Sequence, residues 1–258
     1  MDGCINTFMQ GTIESRPEPD FRTIPEPGKT DVIFHVPILM YHTVNNNENN
    51  SDVLWTDMTT SINVFEKQLE LMDALGYTTI SLDELTDQLE NKIMTSRKQI
   101  VLTFDDGYSD FYSNVYPLIL KHHMKAVVFI PVNYIGKPKY LTWDQVKEMS
   151  ESNAIIFESH SLQHYPMTCI PPIVSFVEIF ISKVRLQLQI KNRVNWFSYP
   201  YGLFDTTTID LLKLVGYKGS VTTVGGTQQH LNKIFVLTRE QGKMMQAADI
   251  ISVLNAYY

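Results

Sequence analysis

Two adjacent carboxylates, Asp105 and Asp106, close the apolar run Ile100-Val101-Leu102-Thr103-Phe104 and are followed at once by Gly107. A run of that composition reads as a buried strand, so it delivers two charges to a strand end. Bare carboxylates there cost several kcal/mol unless they are hydrogen-bonded or hold a cation. Two readings follow. Acidic residues favour helix N-termini, and Phe111, Val115 and Leu118 mark a helical face just downstream; the other reading is chemistry. A second pair, His160 and His164, follows the strand pattern Ala154 to Glu158. Spacing of four puts two imidazoles on one face of a helical turn, within reach of one cation. Surface histidines also pair by chance at that spacing. Both pairs stand just past strands, however, and two His with one carboxylate leave positions open for water and substrate, the donor set of a hydrolytic metal centre. His42 ends a third strand, Val36 to Tyr41, before the polar run Asn45 to Ser51. A core histidine with satisfied nitrogens and a site residue on a loop rim both fit it.

The elements that must carry these residues alternate. Phe65, Leu69, Met72 and Leu75 recur at helical spacing ahead of Gly76, a C-cap residue by type. Thr78 to Ile80 reads as a short strand, and Ser81 caps a helix through Leu89. After the Asp pair come a helix from Asp110 to His123 and a strand from Ala126 to Pro131. Thr142 caps a helix at Trp143-Asp144. Pro172 to Ile190 reads as a buried helix, although its apolar face also suits a subunit or substrate contact. Trp196 to Tyr199 is a further strand, ending in the tight turn Pro200-Tyr201-Gly202, which can aim a backbone N–H at a ligand. A short helix around Leu211 and Leu212 ends before Gly216; Val221 and Phe235 to Leu237 read as the last strands, and Ala247 to Leu254 as a closing helix. Strand and helix in such alternation imply βαβ units in a parallel sheet or barrel, whose sites collect at the strand C-termini.

Composition bounds the alternatives. The chain has 258 residues, 44% hydrophobic, with a net charge of -7 and no Lys or Arg cluster. That suits one α/β domain and argues against nucleic acid or an anionic membrane as partner. Residues 1–34, with Pro17, Pro19, Pro25 and Pro27, read as an extended linker or tail, and 35–258 as the domain. Nothing reaches the length of a transmembrane span, and Met1-Asp2-Gly3-Cys4 lacks the basic start and apolar core of a signal peptide. Cys4 and Cys169 are too few for a disulfide scaffold. His122 and His123 read as solvated near a helix end and His230 as exposed in a polar loop; His35 carries no signal.

Taken together, Thr103-Phe104-Asp105-Asp106-Gly107, His160-Ser161-Leu162-Gln163-His164 and Tyr199-Pro200-Tyr201-Gly202 resemble, in order, the first three motifs of the polysaccharide deacetylases of carbohydrate esterase family 4. The opening Ile38-Leu39-Met40-Tyr41-His42 is similar to the branch containing poly-N-acetylglucosamine deacetylases. The resemblance implies an α/β fold, a distorted (β/α)7 barrel forming a single catalytic domain, and removal of acetyl from N-acetylated sugars with one divalent metal. Zn is the first choice of metal, while Co, Ni or Fe also fit the donors. It implies Asp106, His160 and His164 as metal ligands, Asp105 as general base, the Tyr201 N–H as oxyanion donor and His42 as general acid. An arginine that the family places near its Pro-Tyr turn has no match at Phe197 or Ser198, which leaves Arg193 and Arg239 as replacements. The implied partner is an N-acetylated polysaccharide such as peptidoglycan, a chitin-like polymer or a biofilm glycan, met outside the cell or at its surface. An O-acetyl esterase, or a carbohydrate-binding protein on an inactivated barrel, are the alternatives.

Overall fold

The computed structural model describes Gly28 and residues 32–46, 58–93 and 95–244. The tail expected at 1–34 lies almost wholly outside them, as do Cys4, most of the run Asn45 to Ser51 and the closing helix expected at 247–254. Eight strands make one parallel sheet: β1 (Ile38–Tyr41), β2 (Tyr77–Thr79), β3 (Lys98–Asp105), β4 (Ala126–Ile130), β5 (Ile155–Ser159), β6 (Trp196–Ser198), β7 (Gly219–Val221) and β8 (Glu240–Gln241). Their order is β7-β6-β5-β4-β3-β1-β8, with β2 beside the first half of β3. Helices α1 (Ile62–Ala74), α2 (Leu82–Asn91), α3 (Tyr116–Lys121), α4 (Trp143–Glu151), α5 (Pro172–Ile190) and α6 (Thr206–Val215) lie between the strands in sequence, the alternation that a parallel sheet requires.

The sheet curls until its ends meet one short segment. Leu237 bridges Val221 on β7, and three residues later Glu240–Gln241 pair with Leu39 and Met40 on β1. This is a distorted (β/α)7 barrel, closed by a stretch that lacks strand periodicity. The last strand expected, Phe235 to Leu237, is thus a single bridge, with the pairing deferred to β8.

Strand alternation sorts the interior. Leu102, Phe104, Val128 and Phe197 join the larger apolar cluster, whereas Ile38, Val101, Val127, Phe129, Trp196, Val221 and Leu237 form a second, inner one. Two residues along the inner face from Val101 and Trp196 stand Thr103 and Ser198; Asp105 and Arg239 continue it from Thr103 and Leu237. The barrel's inner row therefore changes from apolar to polar at the C-terminal ends of its strands.

Candidate metal centre and its surroundings

Asp105 is 3% exposed and Arg239 is fully buried. The guanidinium grips the carboxylate bidentately, Nη1 donating to Oδ1 at 2.8 Å and Nη2 to Oδ2 at 2.7 Å. Its remaining donors go to Thr222 O, Thr103 Oγ1 and Ser198 Oγ, and Ser198 Oγ donates in turn to Asp105 at 3.2 Å. Burial alone would raise the Asp105 pKa. The charge and hydrogen bonds of Arg239 outweigh it, with His160 and His42 adding to them, and hold the carboxyl well below the usual range. Asp105 is ionised at any working pH. Of the two arginines the sequence leaves open, Arg239 is the one on the Asp pair, and Arg193 is exposed.

Asp106 would face away from Asp105 if the strand continued. Its φ of 73° breaks the alternation, and its Oδ1 comes to 3.6 Å from His160 Nε2 and 3.3 Å from His164 Nε2. The two ring nitrogens are 3.1 Å apart, and one ligand atom from each of the three residues lies within 4.8 Å of the others. The expected helical turn is absent. Residues 160–164 form an irregular loop in which Ser161 and His164 both have positive φ, 69° and 61°. The loop is held by Glu178 of α5, whose Oε2 accepts the Leu162 and Gln163 N–H groups at 3.0 and 2.7 Å. Ser161 Oγ accepts the His164 N–H.

A cation fits this pocket on the chemistry of its donors. His160 Nδ1 lies 2.7 Å from the Ser198 carbonyl; a carbonyl only accepts, so Nδ1 carries the hydrogen and Nε2 presents a lone pair to Asp106 and His164. Burial lowers both histidine pKa values to about 4, against the opposing pull of Asp105. Both rings are neutral near pH 7, the ligating form. Two imidazoles and one carboxylate meet there, with Asp105 one residue away.

His42 directly follows β1 and is half-buried; its charge acts on both Asp105 and His164. Tyr201 occupies the Pro200–Gly202 turn with φ 60° and ψ 11°, its ring 4.6 Å from that of His164. The structure thus brings together all six residues singled out from the sequence. Sequence reasoning missed a tyrosine wall. Tyr108 hydrogen-bonds Asp106 and Tyr140 and stacks on Tyr140 at 5.2 Å, while Tyr134 packs on Tyr140 at 4.9 Å. Burial and the Asp106 charge raise these phenols, Tyr140 to about 12, so they remain donors. Only Tyr108, beside Gly107, had a signal in the motif.

Three smaller expectations change. His230, expected exposed, is fully buried, and His122 is half-buried, with Nε2 inaccessible. Helix α5 is buried on one side only, where Glu178, Ile179, Ser182 and Leu186 face inward; Ile173, Val177 and Phe180 are exposed.

Comparison with known proteins gives consistent results. The family described as polysaccharide deacetylase matches residues 92–220. YxkH of Bacillus subtilis (strain 168), named as a polysaccharide deacetylase, is 29% identical over 211 residues, covering 82% of this chain and 72% of its own length. The poly-beta-1,6-N-acetyl-D-glucosamine N-deacetylase of Escherichia coli (strain K12) is 24% identical over 212 residues, covering 66% of this chain but 31% of the E. coli protein. Among solved structures, the Streptococcus pyogenes deacetylase PplD in complex with acetate superposes with a TM-score of 0.78 at 28% identity, covering 87% of this chain and 99% of PplD. IcaB from Ammonifex degensii has a TM-score of 0.76 at 20% identity, over 85% and 97% of the two chains, a likeness of fold.

Proposed function

Because the chain belongs to the polysaccharide deacetylase family and is therefore a deacetylase, we propose that it hydrolyses N-acetyl groups on an N-acetylglucosamine polymer, using one divalent cation held by Asp106, His160 and His164. The observation that carries this reading is the convergence of those three donors beside the Asp105–Arg239 pair. A bound cation supplies Lewis acidity, polarising the acetyl carbonyl and acidifying a water. Asp105, ionised and one residue from a ligand, takes the proton of the attacking water. Arg239 fixes the direction in which that carboxylate points. The Tyr201 N–H receives the developing oxyanion, a contact of the kind worth about 3 kcal/mol. His42 gives a proton to the sugar nitrogen as the C–N bond breaks, since a free amide anion is too basic to leave. The tyrosine wall suits a pyranose ring, which stacks on aromatic faces and hydrogen-bonds to phenols.

The relatives named for poly-beta-1,6-N-acetyl-D-glucosamine support the choice of polymer, and the acetate bound to PplD supports acetyl as the group released. Zn is the metal we would restore first. A polymer of this kind would be met outside the cell or at its surface. No helix among the described residues is long and apolar enough to cross a membrane. The test is acetate release from a short N-acetylglucosamine oligomer by chelated protein and after return of Zn, Co or Ni. Release that stops on chelation, returns with metal and drops at least about a hundredfold in Asp105→Asn is the expected result. Release only from an acetyl ester would make the protein an O-acetyl esterase. Silence on both would leave a carbohydrate-binding barrel, for which a buried base gripped by arginine has no use.

A further inference from the structure

The helix expected from Asp110 is not regular at its start. Phe111–Val115 is a π-helical turn, and Tyr116 N–H reaches back five residues to Phe111 O. Pro117 gives a local cause. It lacks an N–H, and its ring crowds the carbonyl of Ser113 four residues back, so a widened turn upstream relieves the clash. Such turns make up well under 1% of residues and gather at functional sites. This one points two side chains at the strand end that carries His42. Asp110 Oδ2 accepts the Val44 N–H at 2.9 Å and the Asn45 side-chain amide at 3.2 Å, and Asn114 Nδ2 donates to Val44 O at 2.8 Å. Both polar groups at Val44 are therefore held by one turn lying 66 and 70 residues away. On the other side of His42, Tyr41 is paired with Phe104 in the sheet and donates its hydroxyl to Gln68 at 2.8 Å. Asp110 keeps this position although its Oδ1 is shut away from solvent, where a charged carboxylate is disfavoured.

We propose that Asp110 and Asn114 are positioning residues that clamp the chain after His42, fixing its imidazole where it can protonate the leaving amine. The inference rests on the general-acid reading of His42 given above. That role implies a leaving-group signature. An amine needs a proton to depart, whereas the nitrophenolate of 4-nitrophenyl acetate departs without one. In Zn-loaded protein, Asp110→Ala and Asn114→Ala should lower kcat on an N-acetylglucosamine oligomer by about 10- to 100-fold with KM within about twofold, while aryl acetate turnover falls less than about threefold. Asp110→Asn, which keeps an acceptor oxygen for the Val44 N–H, should recover most of the amide activity. On the amide alone, loosening the clamp should also move the alkaline limb of the kcat pH profile. Equal losses on amide and ester, or kcat and KM moving together with an unmoved pH profile, would reduce the pair to structure and overturn the proposal.

His42→Ala, run in parallel, separates the two layers. Selective loss of the amide in His42→Ala while the clamp variants behave as wild type would overturn the clamp and leave the acid in place. No selective amide loss in His42→Ala would remove the acid and the clamp with it.

Discussion

Asp105 and Arg239 stand 134 positions apart in the chain and meet at 2.7 Å with no exposed surface on the arginine. The carboxylate in the strand-end pair could be found from sequence because an apolar strand stopping at charge has few explanations. Its arginine could be narrowed only to Arg193 or Arg239, because the segment that carries Arg239 has no periodicity and becomes a strand only at Glu240–Gln241. Asp110 makes an opposite case, a carboxylate whose burial outweighs its hydrogen bonds from Asn45 and Val44 and pushes its pKa up to about 6. The sign of its effect on stability follows. A carboxyl whose pKa is raised on folding binds its proton more tightly in the folded state, so its contribution is fully present below the unfolded value near 3.8 and is lost as pH rises through about 6. The loss is about 2–3 kcal/mol. Asp110→Asn removes that titration, so the variant should gain on wild type in thermal stability between pH 4 and 7, when chelated samples are compared by calorimetry. A constant difference across that range would mean that Asp110 carries no raised pKa.

At the scale of elements, most of the parallel strands and their alternation with helices were legible, because runs such as Val127-Val128-Phe129-Ile130 have no other comfortable place. Helix caps were legible too: Ser81 with Glu84 and Thr142 with Gln145 form reciprocal capping boxes. The loops that aim the ligands were not. Residues 160–164 depend on two non-glycine residues in the left-handed region and on a glutamate from α5, a tertiary effect that overrides the helical spacing of the two histidines. Residues 206–208 open α6, with Asp205 accepting the Thr208 N–H at 2.7 Å. The turn after Tyr199 shows how little tolerance such a loop has. Gly202 has φ 68°, and a Cβ there would overlap the Thr223 side chain. Gly202→Ala combines a left-handed alanine with that overlap, and we expect a cost of about 2–4 kcal/mol. The melting temperature should fall, and amide and ester turnover should fall together, unlike in the clamp variants, because Tyr201 serves both substrates. A melting temperature within a degree of wild type would show that Thr223 gives way freely.

At the scale of the whole molecule, the barrel brings three donors from two loops to one point and leaves two neutral imidazoles facing a carboxylate. Because both histidines have pKa values lowered to about 4, the folded chelated protein binds fewer protons than the unfolded chain. Their contribution is fully present above the unfolded value near 6.5 and is lost as pH falls through about 4, opposite in sign to Asp110. Comparing loaded with chelated protein at one pH cancels Asp110 and isolates the centre. A cation at about a hundred times its dissociation constant adds about 2.7 kcal/mol, roughly 5–10 °C in melting temperature for a chain of this size. We expect that gap at pH 8, and we expect it to shrink at pH 5 as protons compete for the imidazoles. His164→Ala should abolish the gap at both pH values while leaving the chelated protein folded, because the His164 side chain lies at the barrel mouth, outside both apolar clusters. A gap that survives His164→Ala would mean that the cation stabilises the protein from somewhere else, and the three-donor site would lose its claim to it.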